Sequence, residues 1–334
     1  MKAVVVPEVG RLEIQDIPNP ELGPYDALVR NEWCGICSST DSKLIDGTMF
    51  WAPPFPFVLG HESSGTVVEV GKKTRRYRVG DRVTRSLAFW PGSRKELNVA
   101  MGGFAEYGIV RDAEAMARDG DSSLLEDYNT LREVVMPAHL GSIDASLAIS
   151  LSETASMLRH LPNLRGKTVV VAGTGVAGLT FTLWCKLAGA YVIGLGRRAS
   201  RLEEASRLGA DATLDTSRGD VVQGLLELGR GPVDGLIEAT GDADLANRLL
   251  GALRDDGFAA AYGVPPTGIA YDKRWANYPV EEHLSLPWVC DLIKRGWVNP
   301  DWFISHKWDL DQIQTAFDEV RRGDVKKGFI RLAP

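Results

Sequence analysis

The sequence predicts an α/β protein in which a doubly wound parallel sheet is inserted into an antiparallel, barrel-like body. Over residues 1–135, short β-like runs are separated by turns that contain Gly or Pro, which is typical of an antiparallel barrel. Over residues 168–263, short apolar strands alternate with helical patterns, which indicates a parallel sheet with right-handed crossovers. One further helix and strand follow residue 298, and we interpret them as a return to the barrel. The predicted segments are 1–145 for the barrel, 146–297 for the inserted sheet and 298–334 for the return.

Length, charge and cysteine content narrow the class of protein. A chain of 334 residues is long enough for two domains and can bury an ample core without disulfides. The net charge of −6 gives no electrostatic reason to expect nucleic acid or a membrane as the main partner. No apolar run reaches roughly 18 residues, so we expect no membrane span, and the N-terminus resembles a strand and turn, not a signal peptide. The four cysteines predict a reduced protein in the cytoplasm.

A glycine-rich loop lies between the strand predicted at Thr168–Ala172 and a long predicted helix. Its sequence is Gly173-Thr174-Gly175-Val176-Ala177-Gly178. In such a loop, glycines permit a tight turn and close approach of a pyrophosphate, and the helix N-terminus supplies free N–H groups. The alternative is a plain strand-to-helix turn. The strand–loop–helix context favours a Rossmann unit that binds a nicotinamide dinucleotide.

The end of the second strand indicates which dinucleotide is bound. If the cofactor were NAD, the strand predicted at Tyr191–Leu195 should end in a carboxylate that binds the ribose 2′-hydroxyl. The chain has Gly196, Arg197 and Arg198 there instead. A glycine leaves room for a 2′-phosphate and a guanidinium group pairs with it, so we predict NADP(H), the alternative being that both arginines are only solvated. Thr240 closes a later strand and is predicted to lie near the nicotinamide ribose.

Two clusters in the barrel region combine side chains that bind metals. Their sequences are Cys34-Gly35-Ile36-Cys37 and Gly60-His61-Glu62. A CxxC pair alone could indicate a redox site or half of a zinc finger, but the chain has no second CxxC. A thiolate, an imidazole and a carboxylate together match the ligand preferences of zinc, and an open fourth position would make the site catalytic.

With these motifs in place, the chain resembles the zinc-dependent members of the medium-chain dehydrogenase/reductase family, which includes alcohol, sorbitol, threonine and glucose dehydrogenases. The matching segments cover nearly the whole chain in order. They are GICSSTD, FPFVLGHESSGTVVEVG, VGDRV, GGFAEY, the loop at Gly173 and the final helix. The resemblance implies a GroES-like catalytic domain, an inserted Rossmann domain and an active site in the cleft between them.

The resemblance also implies a set of zinc ligands. Cys37, and not Cys34, would be the first ligand, His61 the second, and Glu62 a ligand or near-ligand. Cys34 would then act as a small apolar residue that points elsewhere.

The chain departs from the family pattern at a further ligand position. Aligning Ile143–Thr154 with the pattern puts Ser150 where the family often has Cys or Glu, and serine is a poor zinc ligand. Glu153 lies one helical turn further on and could face the cleft, or could be an exposed helix charge. The remaining ligand is therefore either water or Glu153.

Two other departures affect the metal count and the proton relay. The stretch that corresponds to the family's structural-zinc lobe has no cysteine, so we expect one catalytic zinc and no structural zinc. One residue more than usual separates Cys37 from Asp41. The hydroxyl that relays the substrate proton could therefore be Ser39 or Thr40, and Lys43 could finish the relay or be solvated.

By resemblance, zinc would act as a Lewis acid on the substrate oxygen and the hydride would pass to or from the nicotinamide. We expect the substrate to be a small alcohol or carbonyl compound, namely a secondary alcohol or ketone of a polyol, cyclitol or sugar. Phe50, Trp51 and Trp90 could stack on a sugar or cyclitol ring, or could belong to the core.

Two other functions stay open, and the quaternary structure follows from the family. One alternative is a zinc-free, NADPH-dependent reductase of alkenes or quinones, which would not need the residues Cys37, His61 and Glu62. The other is a non-catalytic NADP(H)-binding protein, supported only by the missing ligand at Ser150.

Pairing of edge strands between Rossmann sheets is common in the family, so we expect a homodimer or a tetramer.

Overall fold

The computed structural model describes residues 1–265 and 268–333, and the chain divides into two compact units. The first unit contains Met1–Ser150 and the chain from Leu286 onward, and the second contains Leu151–Ser285. The divisions thus fall after residues 150 and 285, where the sequence predicts them after residues 145 and 297.

The first unit contains two mainly antiparallel sheets. One has the strand order β2-β1-β4-β7, and the other has the order β15-β16-β3-β5-β6, with β8 paired to β3. Among the described strand pairs of this unit, only β4/β7 and β15/β16 are parallel. The N-terminal elements are β1 (Lys2–Val6), β2 (Glu13–Asp16), β3 (Asp26–Gly35), α1 (Thr40–Ile45), β4 (Phe57–Val58), β5 (Glu62–Val70), β6 (Arg82–Thr84), β7 (Asn98–Val99), β8 (Tyr107–Arg111), α2 (Ala113–Arg118) and α3 (Ser142–Leu158).

The second unit is built on a parallel sheet with the order β11-β10-β9-β12-β13-β14. Its strands are mainly apolar and the central strand β9 is buried on both faces, as helices covering a parallel sheet require. The predicted parallel sheet is therefore confirmed. The elements are β9 (Thr168–Ala172), α4 (Val176–Leu187), β10 (Tyr191–Gly196), α5 (Ala199–Arg207), β11 (Ala212–Asp215), α6 (Val221–Leu228), β12 (Val233–Glu238), α7 (Ala243–Leu249), β13 (Leu253–Ala261) and β14 (Trp275–Asn277).

The last part of the chain adds two strands to the larger sheet of the first unit. Strand β16 pairs antiparallel with β3, so that Phe329 lies opposite Gly35. Helix α9 ends at Gly323, whose φ of +76° is the left-handed conformation that commonly ends helices. The elements are α8 (Glu282–Lys294), β15 (His306–Asp309), α9 (Ile313–Arg322) and β16 (Gly328–Arg331).

A long connection leads from α2 to α3 and contains one short 3-10 helix, Thr130–Arg132. The sequence predicts a polar surface excursion here. The first half is exposed, but Thr130, Arg132 and Glu133 are buried, because the chain turns inward to pair with the sheet beside β6. No helix among the described residues is long and apolar enough to cross a membrane.

Candidate active site

Three side chains that bind metals meet where β3 ends and β5 begins. The antiparallel register places Gly35, at the end of β3, opposite Glu62, the first residue of β5. Cys37 follows β3 and His61 precedes β5, so the pairing brings both beside Glu62. One ligand atom from each of Cys37, His61 and Glu62 lies within 4.8 Å of the others. We call these three residues the metal-ligand cluster.

Asp41, on α1, orients two members of the cluster. Its carboxylate lies 3.0 Å from Nδ1 of His61 and accepts a hydrogen bond of 2.9 Å from the backbone N–H of Cys37. Burial lowers the pKa of His61, but the carboxylate outweighs burial and raises it well above its usual value. Because Nδ1 is engaged, Nε2 of His61 points to the cluster, 3.9 Å from a Glu62 oxygen.

Lys327 supplies a buried positive charge next to Glu62. Its ammonium donates to the Glu62 carboxylate, and to the backbone oxygen of Ile36 at 3.1 Å. Burial raises the pKa of Glu62, but Lys327 and then His61 outweigh burial and hold it below its usual value. Glu62 is therefore an anion at neutral pH. Gly35 leaves the space for this pair, because a Cβ there would collide with the Glu62 carboxylate and lie 3.2 Å from Cε of Lys327.

The proposed relay residues lie at the start of α1. Ser39 is exposed and accepts a hydrogen bond of 3.2 Å from the ammonium of Lys43. Thr40 is half-buried, and its backbone N–H lies 3.4 Å from the Cys37 sulfur. Thr40 thus places a donor against the sulfur through its backbone, and Lys43 contacts one of the two candidate hydroxyls.

Other residues named from the sequence lie outside the metal-ligand cluster. Cys34 is fully buried in the apolar core of the first unit, and the structure contains all four cysteines in free form. Ser150 is buried. Glu153 is half-buried in the second unit, where the Tyr262 hydroxyl donates to it at 3.2 Å. Among the described residues, no other group of three or more metal-binding side chains comes together.

The aromatic residues named from the sequence separate into two groups. Phe50 and Trp51 line a cavity of the first unit. Trp90 is half-buried, and the Arg111 guanidinium lies 4.1 Å from its ring centre. Trp90 is not among the residues that line that cavity.

In the second unit, the glycine loop has the geometry of a phosphate-binding turn. Gly173 has a φ of +117°, which favours glycine. A Cβ on Gly178 would collide with the Gly173 carbonyl, so the helix can pack against the strand only with glycine there. Gly175 caps α4 and faces open space, and Val176 and Ala177 form the first turn of the helix. The free N–H groups of this turn suit an anion.

Gly196, the last residue of β10, lies beside this loop. A Cβ on Gly196 would lie 2.7 Å from the Thr174 hydroxyl and 3.2 Å from a Leu202 methyl group, so the packing of the loop already requires glycine. Arg197 is exposed, and Arg198 is exposed at the start of α5. Both are placed at the carboxyl end of the sheet, where dinucleotides bind in this class of fold.

A buried carboxylate that the sequence analysis missed holds the turn after β12. Glu238 accepts hydrogen bonds from the backbone N–H of Gly241 at 2.9 Å, from the N–H and hydroxyl of Thr240, and from the Tyr271 hydroxyl at 2.5 Å. Burial and Glu238 raise the pKa of Tyr271, which keeps its proton. The Thr240 methyl group would touch a Cβ on Gly173 at 3.0 Å, so Thr240 borders the glycine loop.

Two protein-family models match the chain and together cover more than half of it. The alcohol dehydrogenase GroES-like domain matches residues 23–119, and the zinc-binding dehydrogenase model matches residues 176–279.

Individual proteins match over almost their full length. The D-arabitol-phosphate dehydrogenase of Enterococcus avium is 27% identical, over 98% of this chain and 96% of the relative. An alcohol dehydrogenase of Cupriavidus necator is also 27% identical, over 100% and 98%. A crystal structure described as a zinc-binding dehydrogenase from Sinorhizobium meliloti 1021 bound to NADP is 28% identical, has a TM-score of 0.81 and covers 99% of this chain and 98% of that one.

Proposed function

Because the chain belongs to the zinc-dependent medium-chain dehydrogenase/reductase family and is thereby an oxidoreductase, we propose that it transfers a hydride between NADP(H) and a secondary alcohol or ketone at a catalytic zinc. The observation that carries the proposal is the metal-ligand cluster, whose three ligand atoms lie within 4.8 Å of one another. For the substrate, we propose the polyol, cyclitol or sugar class, supported by the arabitol-phosphate relative.

The donor set of the cluster fits zinc. It combines a thiolate, an imidazole and a carboxylate, which are the ligands that catalytic zinc sites use with an open position for substrate. The Lys327 ammonium keeps Glu62 ionised, and Asp41 engages Nδ1 of His61, as partners of zinc-bound histidines usually do. We propose Cys37, His61 and Glu62 as ligands of one zinc, and no structural zinc. Glu153 accepts a hydrogen bond from Tyr262 within the second unit, and we do not include it among the proposed ligands.

The carboxyl end of β10 fits NADP(H). The strand ends in glycine and is followed by two exposed arginines, where an NAD-binding strand would end in a carboxylate, so a 2′-phosphate there would pair with a guanidinium group. The Asp215 carboxylate, at the end of the neighbouring strand β11, is already paired with Arg218. The NADP-bound relative supports the same cofactor. We propose that Gly173, Gly175 and Gly178 admit the pyrophosphate and that Arg197 and Arg198 bind the 2′-phosphate.

Several residues of the chain would support the metal ligands and move the substrate proton. When bound, zinc would supply Lewis acidity toward the substrate oxygen and NADP(H) the hydride chemistry. Asp41 holds the ring of His61, and the backbone N–H of Thr40 stabilises negative charge on the Cys37 sulfur. We propose that the hydroxyl of Ser39 or Thr40 moves the substrate proton outward, with Lys43 beside Ser39 as the next group.

Zinc content and NADP-dependent activity, measured on one sample, test the proposal. We expect about one zinc per chain and loss of activity when a chelator removes it. Full activity of the zinc-free protein toward alkenes or quinones would support the reductase alternative instead. Tight NADPH binding without turnover of any alcohol or ketone would support a binding protein.

The cofactor preference has its own test. In the double variant Arg197→Gln/Arg198→Gln, we expect the preference for NADP over NAD to fall by about tenfold to a hundredfold, because charged hydrogen bonds to the 2′-phosphate are lost. The control is Arg207→Gln, which removes an exposed arginine from the last turn of α5. A wild-type preference for NAD would refute the role given to the two arginines.

The proposal also covers the quaternary structure and the cellular location of the protein. Strand β14 lies at the edge of the parallel sheet, and an unpaired edge can pair with a second copy. We propose a homodimer or a tetramer that uses this edge. The four free cysteines support a reducing, cytoplasmic location.

A further inference from the structure

A cavity of about 500 Å³ in the first unit has an aromatic rim and an apolar floor. Phe50, Trp51 and Tyr128 form the rim and remain 84%, 41% and 57% exposed. The floor includes Leu87, Val99 and Met101. Large aromatic residues exposed together usually mark a binding site, and the volume suits a small organic molecule.

The backbone segment that forms the cavity floor is hydrogen-bonded to the segment that carries His61 of the metal-ligand cluster. The floor segment that ends at Met101 continues to Gly103, whose N–H donates to Gly60 at 2.7 Å, and Gly60 directly precedes His61. The buried Arg85 guanidinium donates to the His61 carbonyl at 2.7 Å and lies 3.8 Å from the Met101 sulfur. Backbone and side-chain contacts therefore connect the cavity floor to the segment that carries His61.

The lining of the cavity has no charged side chain. Its polar groups are the Asn129 amide, the Tyr128 hydroxyl and the indole N–H of Trp51. The guanidinium groups of Arg85 and Arg132 contact Met101 and Tyr128 but are not among the lining residues. A phosphate or carboxylate that lost water against this lining would therefore have no cation in the lining to offset the loss. An open-chain polyol would leave most of its hydroxyls without partners.

Tyr128 is held in its rim position. The buried Arg132 guanidinium lies 3.3 Å from the centre of the Tyr128 ring, one helical turn along the chain. Arg132 itself is anchored, since its carbonyl accepts a hydrogen bond of 3.4 Å from Thr84, at the end of β6. A ring fixed in this way presents a preformed flat wall.

From these features, and resting on the proposed function, we infer that the substrate is an uncharged cyclic alcohol or ketone whose apolar ring face lies against Tyr128 and Trp51. Flat aromatic walls stabilise apolar ring faces by contact, and the uncharged lining selects against phosphorylated compounds. The substrate would therefore differ in charge from the one in the name of the arabitol-phosphate relative. Tyr128 is the residue that determines this specificity.

The first test compares substrates on the zinc-loaded enzyme with NADP. We expect kcat/KM for cyclohexanol to exceed that for sorbitol, and kcat/KM for glucose to exceed that for glucose 6-phosphate by at least about a hundredfold. Higher kcat/KM for sorbitol or for the phosphorylated sugar would overturn the inference and leave the proposed function intact.

The second test uses Tyr128→Ala, with Leu125→Ala as the matched control, because Leu125 is exposed in the same connection and does not line the cavity. We expect Tyr128→Ala to raise KM for cyclohexanol about tenfold with little change in kcat. KM for 2-propanol, which is too small to reach the rim, should not change. An unchanged KM for cyclohexanol, or equal effects of both variants, would overturn the inference.

A binding measurement distinguishes failure of this inference from failure of the proposed function. If no alcohol or ketone is turned over, calorimetric titration of the NADP-loaded protein with cyclohexanone is the readout. Binding that Tyr128→Ala weakens supports the inference although the proposed function has failed, and absence of binding overturns both. A change in sedimentation of Tyr128→Ala would assign the rim to a second copy of the chain and would overturn the inference.

Discussion

The metal-ligand cluster and the glycine loop are built in opposite ways. The cluster consists of side chains held by other side chains, with Asp41 beside His61 and Lys327 beside Glu62. The loop consists of backbone, and its geometry depends on the absence of side chains at Gly173 and Gly178. A site made of backbone is contiguous in sequence, whereas a site made of side chains draws its supports from distant segments.

The largest expected effect comes from removing a member of the cluster. Cys37→Ser replaces a thiolate by a poor zinc ligand, and the loss of activity should exceed the roughly tenfold to hundredfold cost of losing an outer partner. Zinc content and kcat/KM are the measurements, and NADPH binding should be retained. Unchanged turnover would remove Cys37 from the site.

Removing the outer partner should have the next largest effect. Asp41→Asn leaves His61 without its carboxylate, and we expect zinc affinity to fall about tenfold to a hundredfold. Competition with a chelator measures this affinity. The matched control is Asp46→Asn, at the exposed end of the same helix, which should leave affinity unchanged. Equal effects of both substitutions would show that Asp41 does not support the cluster.

The backbone-built loop responds differently to added atoms. Gly178→Ala forces a Cβ against the Gly173 carbonyl, so we expect about 1–3 kcal/mol loss of stability. Gly175→Ala adds a Cβ in open space and should leave stability unchanged while it weakens NADPH binding. Thermal unfolding and NADPH titration separate the two variants. Equal stability of both would contradict the packing role given to Gly178.

Glu133, a further buried glutamate, lies outside both sites, and we expect its substitution to affect turnover least. Burial raises the pKa of Glu133 to about 8, against a usual value of 4.5, although the Arg111 backbone N–H opposes the rise. Between these values the unfolded chain releases a proton that the folded chain keeps. Folding therefore weakens as pH rises through this window, by about 1.4 kcal/mol per pH unit.

Glu133→Gln removes this dependence, because the amide resembles the protonated acid. We expect the variant to gain stability over the wild type from about pH 4.5 to 8 and the difference to be constant above that. Urea unfolding at several pH values measures it. Parallel stability curves for the two proteins would refute the raised pKa.

The same contrast explains how much the sequence could predict. The parallel sheet and the glycine loop follow local patterns, and the structure contains them. The pairing of β3 with β5, which brings Cys37 and His61 together, joins distant segments and was not predicted. Asp41 belongs to the segment GICSSTD, but the sequence alone gives it no role, because its contact with His61 is visible only in the folded structure. Glu238 carried a weak signal, a carboxylate at the end of an apolar strand.

Lys327 could not be found by any local pattern. It reaches Glu62 across 265 residues, because β16 returns to pair with β3. Glu153 shows the opposite limit. Helical spacing could not decide between an exposed charge and a ligand, and the structure gives it a hydrogen bond from Tyr262.

Because β16 is near the end of the chain and pairs with β3 near its start, Lys327 is synthesised long after its partner Glu62. At roughly 5–20 residues per second, a ribosome adds Lys327 roughly ten to fifty seconds after Glu62, since 265 residues separate them. All the strands of the second unit's parallel sheet are synthesised during that interval, before Lys327 exists to pair with Glu62. The counter-charge of Glu62 is therefore the last part of this buried network to be synthesised, after the whole inserted sheet.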